Sequence, residues 1–484
     1  MNKAVLVAVS HLYPLSDITS SAINMEFVKN ISRKGVDIRV IMPANSNILQ
    51  KYSNNMDTVA VMKIKMNDKE VVYKIKSLLF DSITIYFIDA PDYFDRKRLY
   101  DYADDAERFA FFSRAVPEAI PFLGFKPDII HCQDWTTAFI PYLLKVKYNS
   151  SDIYRNTKTV LTFNDLGNQG VFDKDNCVFL DMNWQTLVQY GIDYYDQINF
   201  LKAGLIYSDT VTTVSPRYAS EIESEFFGRT LEDVIKSRQG KIYGILNGID
   251  LKEYDPASDD RLSVNYGIEN IAAKRENKKA VQKELGFNVD EGIPLLFLNS
   301  KLKDEKGGEI IRYTLEDIIK GNTQVVMMLP QEEGRKDDEE LIYEEFFRSL
   351  TGDYEKNFSI LPYDKDIACK VFAAADILMM PSICEPWGEK AMIAMRYGTI
   401  PVVRQTGGLS NMVADYDEKT GKGTGFSYRF SAIKIFLHTV RRALKVYGRK
   451  DEWEKIVKNC MQLDFGIGGQ AEKYIDLYGK LDCK

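Results

Sequence analysis

The sequence predicts an α/β protein built from two doubly wound, Rossmann-like domains that face a central cleft. Short apolar runs, typical of strands buried on both faces, alternate with segments of helical periodicity. This alternation occurs twice, on either side of a charged stretch from residue 251 to residue 290 that contains no clear strand. A chain of 484 residues is also too long for one hydrophobic core. We therefore predict a first domain over residues 1–250, a second over residues 251–460, and a C-terminal helix within 461–484 that packs back on the first domain.

The first domain is predicted from apolar runs that end in polar or turn residues. Gly35 ends the first helix, and Ser215-Pro216 begins a later one with a capping serine and a first-turn proline. Residues 57–89 are β-rich, with a hairpin turn at Asn67-Asp68. The remaining predicted elements are strands at Ala4–Val9, Ile38–Met42, Asp128–Cys132, Thr159–Phe163 and Thr210–Val214, and helices at Ala22–Arg33, Leu99–Leu123 and Asn199–Ser208.

The second domain repeats this alternation. Gly398 stands where the C-terminal cap of a helix belongs, between two of its apolar runs. Two buried strands joined by one helix form a parallel βαβ unit. The predicted strands are Pro294–Asn299, Gln324–Leu329, Phe358–Leu361, Ile377–Met380, Ile400–Val403 and Gly425–Tyr428, and the closing helices are Ser431–Tyr447, Asp451–Met461 and Gln470–Leu481.

The composition narrows the class of protein. A hydrophobic fraction of 45% and a charged fraction of 27% are typical of soluble globular proteins. The net charge of -7, without a lysine-arginine block, argues against nucleic-acid binding, and no window of about 18 apolar residues predicts a membrane span. The 6 cysteines are scattered without a Cys-x-x-Cys pair, and the 3 histidines lie far apart. We expect a cytoplasmic protein that holds no metal.

A candidate site lies at two neighbouring strand exits of the second domain. Glu385 follows the strand Ile377–Met380, and Thr406-Gly407-Gly408 follows Ile400–Val403. Because the carboxyl ends of parallel strands meet at one edge, both features are expected to face one crevice. Glycines before a helix allow close approach of a phosphate, and a carboxylate accepts hydrogen bonds from sugar hydroxyls. Taken alone, the Thr-Gly-Gly segment is equally well explained as a tight turn, and Glu385 as a negative charge at the start of a helix. Together on neighbouring strands, the two features favour a nucleotide-sugar or phosphate site.

The chain resembles bacterial glycogen synthases and plant starch synthases. The similarity is most specific at Asn199–Ile222 (NFLKAGLIYSDTVTTVSPRYASEI), and continues at Ile245–Asp250 (ILNGID) and Tyr397–Leu409 (YGTIPVVRQTGGL). The resemblance implies the GT-B fold and transfer of glucose, with retention, from ADP-glucose or UDP-glucose to the non-reducing end of an α-1,4-glucan such as glycogen or starch. It implies no cofactor, since the nucleotide sugar is a substrate.

The resemblance also implies roles for single residues. Lys306, with Lys301 beside it, would neutralise the departing diphosphate, which lysines and backbone N–H groups can do without a metal. Glu385 would hold the glucose ring and Tyr363 would stack on the base. The remaining candidates are catalytic Asp134 and the substrate-binding residues Thr406, Gly407, Gly408, Asn247, Asn164, Gln169 and Asp17.

Several departures from the family pattern lie close to this chemistry, among them Asn168 in place of a tyrosine and the loss of two glycines in the loop at 17–21. Asp17 stands where the family has a lysine, Asn164 where it has a histidine, His11 where it has a glutamate, and Trp387 where it has a cysteine. A reversed charge beside a diphosphate weakens its binding, so we expect lower activity than is usual in the family. The alternatives are a transferase with another donor or acceptor, and an impaired homologue that binds glucan or a partner synthase. A hydrolase would need two opposed carboxylates, and only Glu385 stands out.

Overall fold

A computed structural model describes residues 3–16, 23–96, 98–301, 303–329 and 338–481. The chain forms two compact units, which we call unit 1 (Met1–Leu246 with Ile467–Lys484) and unit 2 (Asn247–Gly466). The boundary lies close to the division predicted at residue 250. Each unit contains a parallel sheet flanked by helices, which confirms the predicted α/β class with two Rossmann-like domains. No described helix is both long and apolar enough to cross a bilayer.

Unit 1 is built on a sheet of nine strands over its described residues, in the order β12-β11-β7-β6-β1-β2-β5-β4-β3. The strands from β12 to β5 in this order pair in parallel, and β3 and β4 add an antiparallel edge. A separate three-stranded antiparallel sheet has the order β8-β10-β9. The strands are β1 (Ala4–Ala8), β2 (Asp37–Pro43), β3 (Asp57–Met66), β4 (Lys69–Phe80), β5 (Ile83–Asp89), β6 (Ile129–Gln133), β7 (Lys158–Phe163), β8 (Val171–Asp173), β9 (Asp193–Tyr194), β10 (Gln197–Asn199), β11 (Thr210–Thr213) and β12 (Ile242–Gly244).

The helices of unit 1 include one from the far end of the chain. They are α1 (Met25–Arg33), α2 (Ser46–Tyr52), α3 (Pro91–Phe94), α4 (Asp105–Ala119), α5 (Ile140–Val146), α6 (Trp184–Gln189), α7 (Phe200–Tyr207), α8 (Pro216–Glu221), α9 (Glu225–Gly228), α10 (Glu232–Ser237) and α19 (Ile467–Lys480). In α19, Tyr474 packs edge-on against Phe27 with ring centroids 5.1 Å apart, and the Tyr478 hydroxyl lies 2.7 Å from Nδ1 of His131. The C-terminal helix therefore completes the core of unit 1.

Over its described residues, unit 2 contains six parallel strands in the order β15-β14-β13-β16-β17-β18. This is the 3-2-1-4-5-6 order of dinucleotide-binding folds. The strands are β13 (Leu295–Asn299), β14 (Gln324–Leu329), β15 (Phe358–Pro362), β16 (Ile377–Met380), β17 (Ile400–Arg404) and β18 (Phe426–Tyr428); the helices are α11 (Lys274–Glu284), α12 (Gly308–Lys320), α13 (Asp338–Asp353), α14 (Lys365–Ala374), α15 (Glu389–Arg396), α16 (Gly407–Met412), α17 (Ile433–Tyr447) and α18 (Lys450–Met461).

Two helices begin later than the periodicity predicts, because side-chain hydrogen bonds fix the main chain at their first turn or just before it. Asn24 accepts the N–H of Phe27 through Oδ1 at 2.9 Å, which caps α1. The Asp105 carboxylate accepts the N–H groups of Asp101 and Tyr102 at 2.7 and 3.2 Å, which folds the segment before α4 into a turn. The small sheet β8-β10-β9 was not predicted, since strands this short carry no periodicity.

Candidate active site

The strand order of unit 2 defines where a ligand is expected. Strands β13 and β16 are neighbours, but the chain leaves them toward opposite sides of the sheet. At such a switch point the loops after the two strands separate and leave a crevice at the carboxyl edge. The loop after β13 carries Lys301 and Lys306, and the loop after β16 carries Glu385. Three predicted site residues therefore belong to the two loops at this position.

Lys306 and Glu385 are in direct contact. The ammonium of Lys306 donates to Oε2 of Glu385 and to the main-chain oxygen of Cys384, each at 3.1 Å. The hydroxyl of Ser382 donates to the same carboxylate oxygen at 3.1 Å. Both charged side chains are about one-fifth exposed, so a ligand can reach them while their positions are fixed. Gly307, with φ +84°, permits this contact because a Cβ there would lie 2.6 Å from Pro381.

The glycine pair after β17 is packed against the main chain of the Glu385 loop. A Cβ on Gly407 would lie 2.1 Å from the oxygen of Glu385, and one on Gly408 would lie 1.6 Å from the oxygen of Trp387. The N–H of Gly408 donates to the oxygens of Glu385 and Pro386, both at 3.0 Å. These contacts account for both glycines without a ligand. Thr406 is buried and donates to the main-chain oxygen of Ile383 at 3.2 Å, which ties the two loops together.

Replacing Gly408 with alanine is expected to destabilise unit 2. The new methyl group meets main-chain atoms, which cannot rotate away, so the cost should reach about 3 kcal/mol, the upper part of the range for overpacking. This corresponds to a fall in Tm of roughly 6–12 °C for a domain of this size. Thermal unfolding measured by circular dichroism tests it. Gly352→Ala is the matched control, because that Cβ meets nothing within 4 Å; an equal effect of both changes would contradict the packing argument.

Two further charged residues join the cluster at the start of α15. The Lys390 ammonium donates to the main-chain oxygen of Asn299 at 2.8 Å. Burial lowers the pKa of Lys390 to about 8, while the charges of Glu385 and Glu389 oppose this and those of Lys306 and Lys301 add to it. Burial also raises the pKa of Glu389 to about 7, against the attraction of Lys390.

Tyr363 follows β15 and leaves 42% of its surface exposed. Its N–H donates to the oxygen of Leu329 at 2.6 Å, which fixes the main chain. Burial raises the pKa of its hydroxyl, and the negative charge of Glu389 adds to the effect. The exposed tyrosine therefore belongs to the same charged neighbourhood, where a base could stack on it. Asn247, the first residue of unit 2, is buried.

The corresponding switch point of unit 1 lies between β1 and β6, and Asp134 stands at the exit of β6. Its φ of +56° and ψ of -178° lie in a region that residues other than glycine seldom adopt. The carboxylate accepts from the main-chain N–H of Asn164 at 2.9 Å and from its Nδ2 at 2.8 Å. Burial raises the pKa of Asp134 to about 6, while both hydrogen bonds from Asn164 oppose the rise. The structure thus pairs two of the predicted site residues.

Gln169 makes hydrogen bonds within unit 1. Its Nε2 donates to the main-chain oxygens of Leu166 and Arg229 at 3.1 and 3.0 Å, and its Oε1 accepts from Nδ2 of Asn199 at 2.6 Å. The side chain braces the loop that follows Asn164, and substrate binding by Gln169 stays a prediction.

Asp17 lies outside the described residues. Among the residues that the structure covers, no group of three or more His, Cys, Asp or Glu side chains is placed to hold a metal.

Ser382, Asn299, Glu389 and Lys390 were not predicted as site residues. A signal for Lys390 exists in the sequence, because a lysine in the first turn of a helix opposes the helix dipole and is locally unfavourable. Ser382 and Asn299 carry no such signal, since a serine or asparagine after a strand is common in turns.

Comparison with known proteins identifies the family. Residues 23–237 match the family described as starch synthase catalytic domain. The chain is 37% identical over 461 residues to the glycogen synthase of Clostridioides difficile, covering 93% of each protein. It is 36% identical over 485 residues to that of Bacillus cereus, covering 99% of each. The catalytic domain of Starch Synthase IV from Arabidopsis thaliana, solved bound to ADP and acarbose, superposes with a TM-score of 0.88 at 28% identity, covering 99% of each chain.

A more distant structure shows the fold alone: a sucrose-phosphate synthase from Thermosynechococcus elongatus has a TM-score of 0.61 at 17% identity, over 99% of each chain. The likeness to the two glycogen synthases covers nearly the full chain at 36–37% identity, so it shows the family as well as the fold. The chain belongs to the family of bacterial glycogen synthases and plant starch synthases, the glucosyltransferases that its sequence resembles.

Proposed function

We propose that the protein transfers glucose from ADP-glucose to the non-reducing end of an α-1,4-glucan, with retention of configuration, and that UDP-glucose is the alternative donor. The observation that carries the proposal is the contact between Lys306 and Glu385 at the switch point of unit 2. This position in a family of glucosyltransferases suits a sugar nucleotide, with a cation for the diphosphate and a carboxylate for the sugar hydroxyls. The starch synthase neighbour supports an adenine nucleotide, since it binds ADP.

The chemistry assigned to these residues is electrostatic. As the bond between glucose and the diphosphate breaks, negative charge accumulates on the leaving group. Lys306, assisted by Lys301, would neutralise this charge, and its contact with Glu385 keeps the ammonium in place before the donor arrives. Glu385 would hold the glucose ring through its carboxylate. Asp134, Asn164 and Asn247 remain candidates for substrate contacts, and Tyr363 for stacking on the base.

The proposal is tested by incubating the protein with glycogen and either ADP-glucose or UDP-glucose carrying a labelled glucose. The expected result is label in glycogen, with ADP-glucose the better donor. Release of that label by β-amylase would show α-1,4 addition at non-reducing ends. A protein that binds glycogen but incorporates no label from either donor would instead be the impaired homologue named above.

Transfer is also expected to survive chelation, since the positive charge at the site is assigned to lysines. We propose that the enzyme needs no metal or other cofactor and acts in the cytoplasm. Assays in the presence and absence of EDTA should give equal rates. Loss of activity with EDTA and its recovery with Mg²⁺ or Mn²⁺ would contradict the proposal.

A further inference from the structure

Lys390 lies among the charged side chains of Lys301, Lys306, Glu385 and Glu389, and the proposed function gives it no role. It occupies the second position of α15, next to Glu389 and close to the loop that carries Glu385. Its ammonium reaches the end of β13, where it donates to the main-chain oxygen of Asn299. It therefore spans the two strand exits that form the switch point, β13 and β16.

The ammonium of Lys390 has unused hydrogen-bonding capacity. A lysine can donate three hydrogen bonds, and among the described residues only the oxygen of Asn299 accepts one from Lys390. The side chain of Asn299 is itself 97% buried, and its Oδ1 has no partner within the described part of the chain. Leaving donors without partners at a partly buried position is costly, so the two remaining N–H groups of Lys390 are suited to a ligand that supplies acceptors.

The charges around Lys390 favour an anion. Three lysines, at positions 301, 306 and 390, interact with two glutamates, Glu385 and Glu389. Lys306 forms an ion pair with Glu385, whereas no carboxylate among the described residues forms an ion pair with Lys390. Lys365 and Glu253 also act on Glu389, but they pair with each other. Lys390 therefore lacks a negative partner, which a diphosphate would supply.

We propose that Lys390 is a third donor-site cation, which binds the diphosphate of the nucleotide sugar together with Lys306 and Lys301. The inference rests on the proposed function, because it concerns the ligand of the same site. Bound diphosphate takes the two N–H groups of Lys390 that lack acceptors and offsets the repulsion from Lys306 and Lys301. Lys390 thereby makes the affinity for the donor depend on pH near neutrality.

The direction of this pH dependence follows from the pKa of Lys390, which burial lowers to about 8 in the free protein. Below pH 8 the lysine is charged and attracts the diphosphate. Above pH 8 it loses its proton, and binding must then either take up a proton or proceed without this charge. Affinity for ADP should therefore fall as the pH rises from 7 to 9, a range over which the terminal phosphate of ADP gains only a little further negative charge because its second pKa is about 6.

Titration calorimetry with ADP on the full chain tests the inference in wild type, K390Q, K390R and the control K455Q, which changes an exposed lysine of α18. K390Q should bind ADP at least tenfold more weakly than wild type at pH 7, and K455Q should be unchanged. Wild type should lose about tenfold in affinity between pH 7 and pH 9. K390R should lose less than threefold, because arginine keeps its charge. At pH 8, heats measured in HEPES and Tris should show proton uptake in wild type but not in K390R.

Three outcomes are decisive against the inference. K390Q binding ADP within twofold of wild type would overturn it, and so would a K390R variant with the same pH dependence as wild type. Both leave the proposed function intact. Absence of ADP and UDP binding in wild type at millimolar concentration would instead remove the donor site itself. If K390Q fails to fold, the comparison of K390R with wild type still decides the question.

Discussion

Replacing Lys306 with alanine is expected to lower kcat for glucosyl transfer by about 10²–10³-fold, the loss typical for removing one preorganised group that stabilises developing charge. The change removes the hydrogen bonds of the ammonium to Glu385 and to the oxygen of Cys384, both at 3.1 Å. Ser382 still holds the Glu385 carboxylate, so the geometry of the loop should survive. Because the charge develops on the leaving group as the bond breaks, kcat should fall more than KM rises.

Steady-state kinetics with ADP-glucose and glycogen measure this effect, and Lys306→Arg and Glu385→Gln complete the design. Arginine keeps the positive charge and should recover part of the rate. Because Lys306 and Glu385 are in contact, the effects of Lys306→Ala and Glu385→Gln should not be additive in the double variant. A Lys306→Ala enzyme with at least one-third of the wild-type kcat would show that the diphosphate is neutralised elsewhere.

The sequence contains enough information to predict the strands of both sheets, and the reason is burial. Parallel strands covered on both faces are apolar along nearly their whole length, as in Leu295–Asn299, whose last residue alone is polar, and Ile377–Met380; all residues of both strands are buried. Once the strands are known, the residues that follow them, such as Lys306 and Glu385, are expected at one edge of the sheet. The position of the candidate site therefore follows from the order of polar and apolar residues.

The details within the site depend on contacts that the sequence does not encode locally. Gly407 and Gly408 predict that some group approaches the main chain closely, but they do not identify it. In the structure that group is the main chain of Glu385 and Trp387, in the loop after another strand. Lys390 opposes the helix dipole in the first turn of α15, but the sequence does not show which group its ammonium contacts. That group is the main-chain oxygen of Asn299 at the end of β13, which is brought close only by the fold. Likewise, no local pattern distinguishes the positive φ of Asp134 from an ordinary loop conformation.

Asp134→Asn is expected to abolish most of the transfer activity while making unit 1 more stable at neutral pH. Burial raises the pKa of this carboxyl from 3.8 to about 6 in the folded protein. Between these two values the folded state binds more protons than the unfolded state, so wild-type stability falls as the pH rises from about 4 to 6 and then stays level. The loss amounts to at most about 3 kcal/mol. Asparagine does not titrate, and because it matches aspartate in shape the main-chain conformation at position 134 should cost no more than in wild type.

The local hydrogen bonding should adapt to the substitution. Asn164 donates to Asp134 through its main-chain N–H and through Nδ2, and its own Oδ1 is buried without a partner among the described residues. Rotation of the Asn164 amide would let Oδ1 accept from the new side-chain amide at position 134, while the main-chain N–H keeps its bond to the side-chain oxygen. The variant therefore should fold, so a loss of transfer can be assigned to the missing carboxylate.

Thermal unfolding of wild type and Asp134→Asn between pH 4 and 7.5 measures the stability effect. The Tm of the variant should exceed that of wild type by a margin that grows from pH 4 to 6 and is constant above it. Asp128→Asn is the control, since Asp128 accepts the N–H of Ala4 at 2.8 Å and is not part of the site. Transfer from ADP-glucose should fall at least about 100-fold in Asp134→Asn, comparable to the loss of a preorganised charged group. A margin in Tm that does not change with pH would mean that this carboxyl keeps an ordinary pKa, and unchanged transfer would remove Asp134 from the active site.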